Sequence, residues 1–220
     1  MHTVHSTLTL NSHPLHIITF DPATFAEHDL LWLPHHADVA HTGRKRKSEH
    51  LAGRIAAVHA LREHGHQAVP GIALGGEPLW PTRLYGSISH NGQTAVAVVA
   101  PYRVGVDVET MFTPSLSEAL AESIVNAEEY ALLQQNPLPF ALGLSLAFSA
   151  KESLFKAFSS VVLPFPGFYS AQLIALNAQS LTLRINAQFS RQHAGICVDV
   201  AWIADAGQVT TLVSDIPSGS

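Results

Sequence analysis

Two carboxylates lie two residues apart in the segment Val104-Gly-Val-Asp-Val-Glu109. The pattern is typical of a strand, in which alternate residues share a side, so Asp107 and Glu109 project together while the valines face the core. Carboxylates roughly 7 Å apart at Cα repel each other unless a cation lies between them, and Mg²⁺ prefers such oxygen ligands. Gly105, on the same side, leaves room for a ligand to approach. The segment alone also fits an edge strand with a solvated acidic side.

A second charged group interrupts the apolar segment Phe148–Phe158, which predicts a helix. Glu152 and Lys156 are four residues apart and share one side of that helix. Alone, they could be a solvated ion pair worth about 0.2–0.5 kcal/mol. Together with the strand, Glu152 supplies a third carboxylate, and Lys156 can hold a phosphate oxygen as a point charge. This combination favours Mg²⁺-assisted phosphoryl transfer, in which catalysis is mostly positioning and charge neutralisation.

Four consecutive cations, Arg44–Lys47, open a predicted helix that also contains Arg54. Cations are mildly disfavoured at a helix N-terminus, so their position favours an anionic partner over a simply solvated basic segment. Lys47 and Arg54, seven residues apart, are predicted to share a side of the helix. Nucleic acid is a poor candidate for that partner, because the net charge is −5 and aromatic and basic residues do not alternate.

The segment Ser87-Ile-Ser-His90 places serines beside a histidine. A serine hydrolase of the elbow type needs Gly-x-Ser-x-Gly, which this segment lacks. Contact of His90 with a phosphate fits the other charged segments better. The chain has 14 histidines, but none stand in a His-Glu-x-x-His frame, so no zinc site is predicted from their spacing.

Periodicity and turn signals predict an α+β protein of two similar halves, residues 1–102 and 103–220, each with a long helix packed on mainly antiparallel strands. Asn91-Gly92 is a strong hairpin signal. Asn126 followed by Glu129 is typical of a capping box at the start of a helix. The tail Pro217–Ser220 is expected to fray. The predicted strands and long helices are Val4–Leu10, Leu15–Phe20, Arg44–His64, Tyr85–His90, Thr94–Ala100, Val104–Glu109, Leu142–Ser159, Tyr169–Leu176, Leu181–Asn186, Gly195–Ile203 and Val209–Ser214.

Composition excludes several classes of protein. With 47% hydrophobic and 13% charged residues, the chain is too apolar to be disordered. No apolar run approaches the ~20 residues of a membrane span, and the first residues lack a signal-peptide pattern. A single cysteine, Cys197, excludes an internal disulfide and fits a reducing cytoplasm. Peripheral association with a synthase complex or a membrane is left open.

The strand Val104–Glu109 and the helical Phe148-Ser-Ala-Lys-Glu-Ser-Leu-Phe-Lys156 together resemble the signature of the 4′-phosphopantetheinyl transferases of the surfactin-synthetase-activating type. Three further segments are similar to the branch attached to enterobactin synthase. They are Asp29-Leu-Leu-Trp-Leu-Pro34, the segment from Gly43 to Ala57, and Tyr85-Gly-Ser-Ile-Ser-His90. The resemblance covers residues 15–160, and beyond residue 165 it rests on the β-rich pattern alone.

The resemblance implies a pseudo-twofold monomer that holds coenzyme A between its halves. It implies transfer of the 4′-phosphopantetheine arm to a serine of aryl or peptidyl carrier domains of a siderophore synthase, with release of adenosine 3′,5′-bisphosphate. Asp107, Glu109 and Glu152 would ligate Mg²⁺, with Glu152 also a candidate base and Lys156 assisting the leaving phosphate. The residues that would contact coenzyme A are Arg46, Arg54, Glu77, Pro78, Ser89, His90, Asp107 and Lys156.

One departure from the family pattern precedes Trp80-Pro81, where relatives often carry a cation and this chain has Gly75-Gly76. Coenzyme A affinity would then depend more on Arg46, Lys47 and Arg54. The carrier-docking surface is assigned only to the region 110–125. Two other functions stay open at this point: a catalytically silent scaffold that binds coenzyme A and a carrier, and a Mg²⁺-dependent phosphohydrolase.

Overall fold

The computed structural model of the protein describes residues 1–159, 162, 164–214 and 216. The tail Pro217–Ser220, predicted to fray, lies outside these residues. The chain forms two compact units, Met1–Tyr102 (unit 1) and Arg103–Ser220 (unit 2). Both units pack helices on antiparallel strands, so the predicted α+β class is confirmed. In the described part of the chain, no helix has the length and apolar character needed to cross a bilayer.

Unit 1 is a four-stranded antiparallel sheet with the strand order β1-β2-β6-β5, and one long helix, α2, packs on it. A separate two-stranded ribbon, β3-β4, lies between α2 and β5 in the chain. The bounds are β1 Thr3–Leu10, β2 His13–Phe20, α1 His36–Val39, α2 Arg44–Arg62, β3 Gly71–Ile72, β4 Pro78–Leu79, β5 Tyr85–Asn91 and β6 Thr94–Ala100.

Turn chemistry fixes the ends of these elements. Leu10 pairs with His13, which leaves a two-residue turn whose residues Asn11 and Ser12 have φ of 46° and 64°, as a type I′ hairpin requires. The second hairpin turns at Gly92-Gln93 because Asn91 still pairs with Thr94, one residue later than predicted. Gly65, with φ of 76°, lies three residues after the end of α2.

Unit 2 is a five-stranded sheet with the strand order β7-β11-β10-β9-β8. Helices α3, α4 and α5 accompany the sheet, and α5 lies against β7 and β11. The bounds are β7 Gly105–Thr110, α3 Pro114–Ile124, α4 Ala127–Gln135, α5 Phe140–Phe158, β8 Ala171–Leu176, β9 Ser180–Ile185, β10 Cys197–Asp205 and β11 Gln208–Val213.

The predicted capping box of α4 is present. The Asn126 side chain accepts a hydrogen bond from the Glu129 amide at 3.0 Å, and the Glu129 carboxylate accepts one from the Asn126 amide at 2.9 Å. Two amides that lack partners within the helix are thereby satisfied. The helix therefore starts where the sequence indicated.

A stripe of buried serines sets the position of α5 on the sheet. Ser145, Ser149 and Ser153 are spaced four residues apart and are all 0% exposed. The hydroxyls of Ser149 and Ser153 lie 2.9 and 2.7 Å from the Thr211 hydroxyl on β11. Because Thr211 is the direct neighbour of Asp107 across the sheet, these hydrogen bonds fix the helix above the carboxylate strand.

Gly105 has a different role from the one predicted. A Cβ at this position would lie 1.9 Å from the backbone oxygen of Ser153 and 2.8 Å from the Ala157 nitrogen. The room at Gly105 is therefore occupied by the backbone of α5 and not by a ligand. The absence of a side chain allows the strand and the helix to approach closely, and this contact brings Asp107 next to the helix.

We expect Gly105→Ala to lower the free energy of unfolding by more than about 3 kcal/mol, above the usual cost of overpacking, because backbone atoms cannot move aside as side chains do. Urea unfolding followed by circular dichroism measures the change. Gly43→Ala is the matched control, since a Cβ there meets nothing within 4 Å and its φ is −69°. Equal stabilities of the two variants would contradict this explanation of Gly105.

Candidate functional site

The acidic group in unit 2 is built on the contact between β7 and α5. Asp107 is 1% exposed, so it does not belong to a solvated acidic side, although β7 is the terminal strand of the sheet described above. Lys156 Nζ lies 2.5 Å from Asp107 Oδ1. The pairing of Lys156 therefore joins the helix to the strand.

Glu152 lies one helical turn before Lys156 and interacts electrostatically with both members of that pair. Burial raises the pKa of Glu152, the Lys156 ammonium lowers it, and the neighbouring Asp107 carboxylate raises it again. The net effect is a pKa above the usual carboxyl range. A half-buried carboxylate held near another carboxylate is a group that gains from an added cation or from a proton.

These residues fit a hard divalent cation by their chemistry. Asp107, Glu109 and Glu152 offer carboxylate oxygens, the ligands that Mg²⁺ prefers. Asp107 and Glu109 alternate on one side of β7, and Glu152 is close enough to Asp107 for its charge to raise the Glu152 pKa. The assignment of the three residues as metal ligands stays a prediction.

Lys151, for which the sequence predicted no direction, points away from this group into the core. It is 2% exposed, its Nζ lies 2.6 Å from Glu129 Oε1, and it donates a hydrogen bond of 2.8 Å to the Ile124 carbonyl. Glu129 also accepts a hydrogen bond of 2.7 Å from the Leu173 amide. This buried ion pair connects α5, the capping box of α4 and β8.

The basic group in unit 1 follows one side of α2. Arg46, His50 and Arg54 are spaced four residues apart along the helix, and His90 on β5 faces the first of them. Arg46 Nη1 donates to His90 Nε2 at 3.1 Å, which places the His90 proton on Nδ1, 3.6 Å from Glu49 Oε2. The structure therefore brings the predicted Arg46 and His90 together.

Arg54 is a buried guanidinium with a partial set of hydrogen bonds. It is 5% exposed and donates to the Gly71 carbonyl at 3.1 Å, while Nε has no hydrogen-bond partner among the described residues. Burial and the nearby Arg46 lower the pKa of Arg54 to about 10. Two close cations, one of them buried, form a site that an anion would stabilise.

Two histidines complete this group, and sequence reasoning missed both. His35 Nε2 and His50 Nε2 lie 2.9 Å apart. Burial lowers the pKa of His50 to about 3, with further lowering by Arg54, His35, Arg46 and His90. The four-residue spacing of Arg46, His50 and Arg54 places His50 on the same side of α2 as the two arginines, so the sequence could have indicated it. His35 precedes that helix, and no sequence pattern connects it with the group.

The other cations of the basic segment are engaged elsewhere. Lys47 is 8% exposed and donates to both Glu27 oxygens, at 3.1 and 2.9 Å. Arg44 lies over the Phe25 ring, 5.5 Å from its centroid, and donates to three carbonyls. The expectation that coenzyme A affinity depends partly on Lys47 stays a prediction, and the pairing of Lys47 with Glu27 does not favour it.

Three further predicted contacts come from other elements of unit 1, and Arg54 donates to one of these elements through the Gly71 carbonyl of β3. Pro78 pairs with Ile72 in the β3-β4 ribbon, and Glu77 precedes it with a buried Oε2 that has no hydrogen-bond partner among the described residues. Ser89 is buried on β5 and, next to His90 in the strand, points to the opposite side of the sheet. The roles of Glu77, Pro78 and Ser89 stay predictions.

The low pKa of His50 gives a prediction for the free protein and its complex. Since the folded-state pKa lies below the ordinary histidine value, unit 1 should lose stability as pH falls from about 6.5 towards about 3. A bound polyanion should raise the His50 pKa by offsetting the charges of Arg46 and Arg54.

NMR titration of the ring protons, with and without adenosine 3′,5′-bisphosphate, tests this expectation. The His28 side chain, 79% exposed, is the internal control, and the ligand should leave its ring-proton signals unchanged. An ordinary His50 pKa in the free protein would contradict the electrostatics described here.

Comparison with known proteins assigns both units to one class. Residues 34–100 match the model of the 4′-phosphopantetheinyl transferase N-terminal domain, and residues 103–212 match that of the 4′-phosphopantetheinyl transferase superfamily. The chain belongs to this superfamily, which confirms the family resemblance seen in the sequence.

Individual relatives narrow the position within the family. The chain is 51% identical to enterobactin synthase component D of Salmonella typhi, over 98% of this chain and 92% of that protein. It is 49% identical to enterobactin synthase component D of Escherichia coli K12, over 86% and 92% respectively. The crystal structure of Thermotoga maritima holo-[acyl-carrier-protein] synthase aligns with a TM-score of 0.40 and 23% identity, over 50% of this chain and 60% of that one.

Proposed function

We propose that this protein transfers the 4′-phosphopantetheine arm of coenzyme A to a serine of aryl and peptidyl carrier domains of an enterobactin-type siderophore synthase, releasing adenosine 3′,5′-bisphosphate. The observation that carries the proposal is the ion pair between the buried Asp107 and the partly exposed Lys156, with Glu152 beside it. The chain is also about half identical to enterobactin synthase component D over nearly its whole length. We infer that it acts as a cytoplasmic monomer.

The unit 2 residues would perform the transfer. Mg²⁺, held by Asp107, Glu109 and Glu152, would neutralise charge on the transferred phosphate. Glu152, whose pKa is raised by burial, is suited to accept the proton of the carrier serine hydroxyl. Lys156 would place its ammonium on the leaving phosphate oxygen, and Asp107 fixes the direction of that ammonium.

The unit 1 residues would bind the phosphates of coenzyme A. Arg46 and Arg54 supply two fixed positive charges, and an arginine can hold a phosphate with two parallel hydrogen bonds. His90 lies beside Arg46 and Glu49 and would contact the same phosphates. Because Glu27 neutralises the charge of Lys47, the affinity for coenzyme A would depend on Arg46, Arg54 and His90. This holds whether or not Gly75-Gly76 removes a further cation that relatives carry.

Chromatography of coenzyme A and its products, with and without a carrier, tests this function against its alternatives. Transfer predicts adenosine 3′,5′-bisphosphate only when a carrier is present, in amounts equal to the carrier modified. A phosphohydrolase would consume coenzyme A without a carrier. A silent scaffold would retain both partners and form no product. A panel of aryl, peptidyl and fatty-acid carriers run in parallel would identify the preferred carrier.

A further inference from the structure

Three histidines from three different elements meet in unit 1. They are His5 on β1, His16 on β2 and His59 on α2, here called the histidine cluster, and a ring nitrogen of each lies within 4.8 Å of those of the others. The rings of His5 and His59 are stacked, with centroids 3.7 Å apart. The three residues are far apart in the sequence, so no spacing rule could have revealed them.

The strand register places the cluster on the side of the sheet that α2 covers. His5 lies opposite Ile18, and Thr7 lies opposite His16, so His5, His16 and Ile18 share one face. Ile18 is 1% exposed and belongs to the core formed with α2. His59 lies on that helix. The pairing of β1 with β2 and the packing of α2 on the sheet therefore bring the three histidines together.

The nitrogen positions suit a metal ion. His5 Nε2 and His16 Nδ1 are 3.0 Å apart, at hydrogen-bond distance in the metal-free protein. This separation is a few tenths of an ångström shorter than the ~3.3 Å between two nitrogens bound to one tetrahedral zinc ion. Imidazole nitrogens favour ions such as Zn²⁺, whereas Mg²⁺ prefers oxygen. Three histidines plus water is a known zinc coordination.

The other nitrogen of His16 supports the same interpretation. His16 is 3% exposed, and its Nε2 is buried without a hydrogen-bond partner among the described residues, although Glu63 Oε1 lies 3.6 Å away. Histidines that bind a metal through one nitrogen usually direct the other to a carboxylate, which fixes the ring. Glu63 follows His59 by one helical turn and stands in the position of such a carboxylate.

We propose that His5, His16 and His59 bind one divalent transition ion of the Zn²⁺ type, with Glu63 orienting His16. The ion would join the edge strand β1 and its neighbour β2 to α2. Its role is structural, because it connects elements of unit 1 and its ligands are not among those assigned to phosphate binding. The competing explanation is a metal-free stack of three imidazoles.

Calorimetric titration of ZnCl₂ into tag-free, chelator-treated full-length protein tests the proposal. We expect one tight equivalent of zinc and, at 100 times the Kd, a rise in Tm of roughly 5–10 °C. MgCl₂ should give neither effect. His5→Gln and His59→Gln should each weaken binding by at least about 10-fold, and Glu63→Gln by about 10–100-fold.

The control variant is His28→Gln, which removes a histidine with a 79% exposed side chain and should bind zinc as the unchanged protein does. His5 is itself exposed on an edge strand, so its replacement by Gln should preserve the far-ultraviolet circular dichroism spectrum. Failure of the protein to bind one equivalent of zinc, or full zinc affinity in both His5→Gln and His59→Gln, would overturn the proposal.

Discussion

Glu152→Gln should reduce the rate of phosphopantetheinyl transfer by about 10²–10⁴-fold, the usual contribution of a general base, without weakening the metal-free fold. The substitution removes the carboxylate that we assign both to the metal and to the serine proton. Glutamine keeps the size of the side chain, so contacts with α5 and β7 should remain. Rates of carrier modification at saturating coenzyme A measure the loss.

The stability part of this prediction follows from the sign of the pKa shift. The folded-state pKa of Glu152 is raised, chiefly by burial, so folding favours the protonated form. As pH rises from the ordinary carboxyl range through the raised pKa of Glu152, the buried side chain loses its proton and the unmodified protein loses stability. The Glu152→Gln variant does not lose this stability, because glutamine does not titrate. At neutral pH in a chelator, the variant should therefore unfold at the same temperature as the unmodified protein or higher.

Glu128→Gln is the matched control, since Glu128 is exposed on α4 and should change the rate by less than about twofold. Near-normal turnover by Glu152→Gln would remove Glu152 from the chemistry. A marked drop in its metal-free Tm would instead assign Glu152 a structural role, which the raised pKa contradicts.

Lys151→Met should destabilise unit 2 by about 3–5 kcal/mol, because it leaves the Glu129 charge buried without its cation. Glu129 is 0% exposed and Lys151 2%, so water cannot replace the lost partner. The carboxylate would keep its hydrogen bonds from the Asn126 and Leu173 amides, which offset only part of the cost. Urea unfolding, monitored by circular dichroism, measures the difference.

Lys45→Met provides the comparison. Lys45 lies 3.8 Å from Glu49 with its side chain 82% exposed, and exposed pairs of this kind contribute at most about 1 kcal/mol. The double variant Glu129→Gln with Lys151→Met should be less destabilised than the sum of the single variants, since the uncompensated charge is gone. Similar losses for Lys151→Met and Lys45→Met would contradict the buried pair.

The sequence predicted those parts of the fold whose signals are local. Three such features depend on neighbouring residues: the capping box at Asn126, the hairpin signalled by Asn91-Gly92 and the alternation in Val104–Glu109. The hairpin turn itself lies one residue later than predicted. The start of α5 was predicted at Leu142 and lies at Phe140, directly after Pro139. Such boundaries depend on tertiary packing more than on propensity.

The sequence predicted only those residues of the candidate site that belong to a recognisable motif. Asp107 with Lys156, and Arg46 with His90, are paired in the structure, and their types and spacing had indicated charged groups with an anionic partner. The direction of Lys151 depends on Glu129, and the engagement of Lys47 depends on Glu27. Local periodicity contains no information about partners so distant along the chain.

The mass of an aryl carrier domain, measured after incubation with this protein, coenzyme A and Mg²⁺, tests the proposed activity most directly. We predict that the carrier gains the mass of one 4′-phosphopantetheine group, and that replacement of its acceptor serine by alanine abolishes the gain. An unchanged carrier mass at saturating coenzyme A, with protein shown to be folded, would contradict the proposed function.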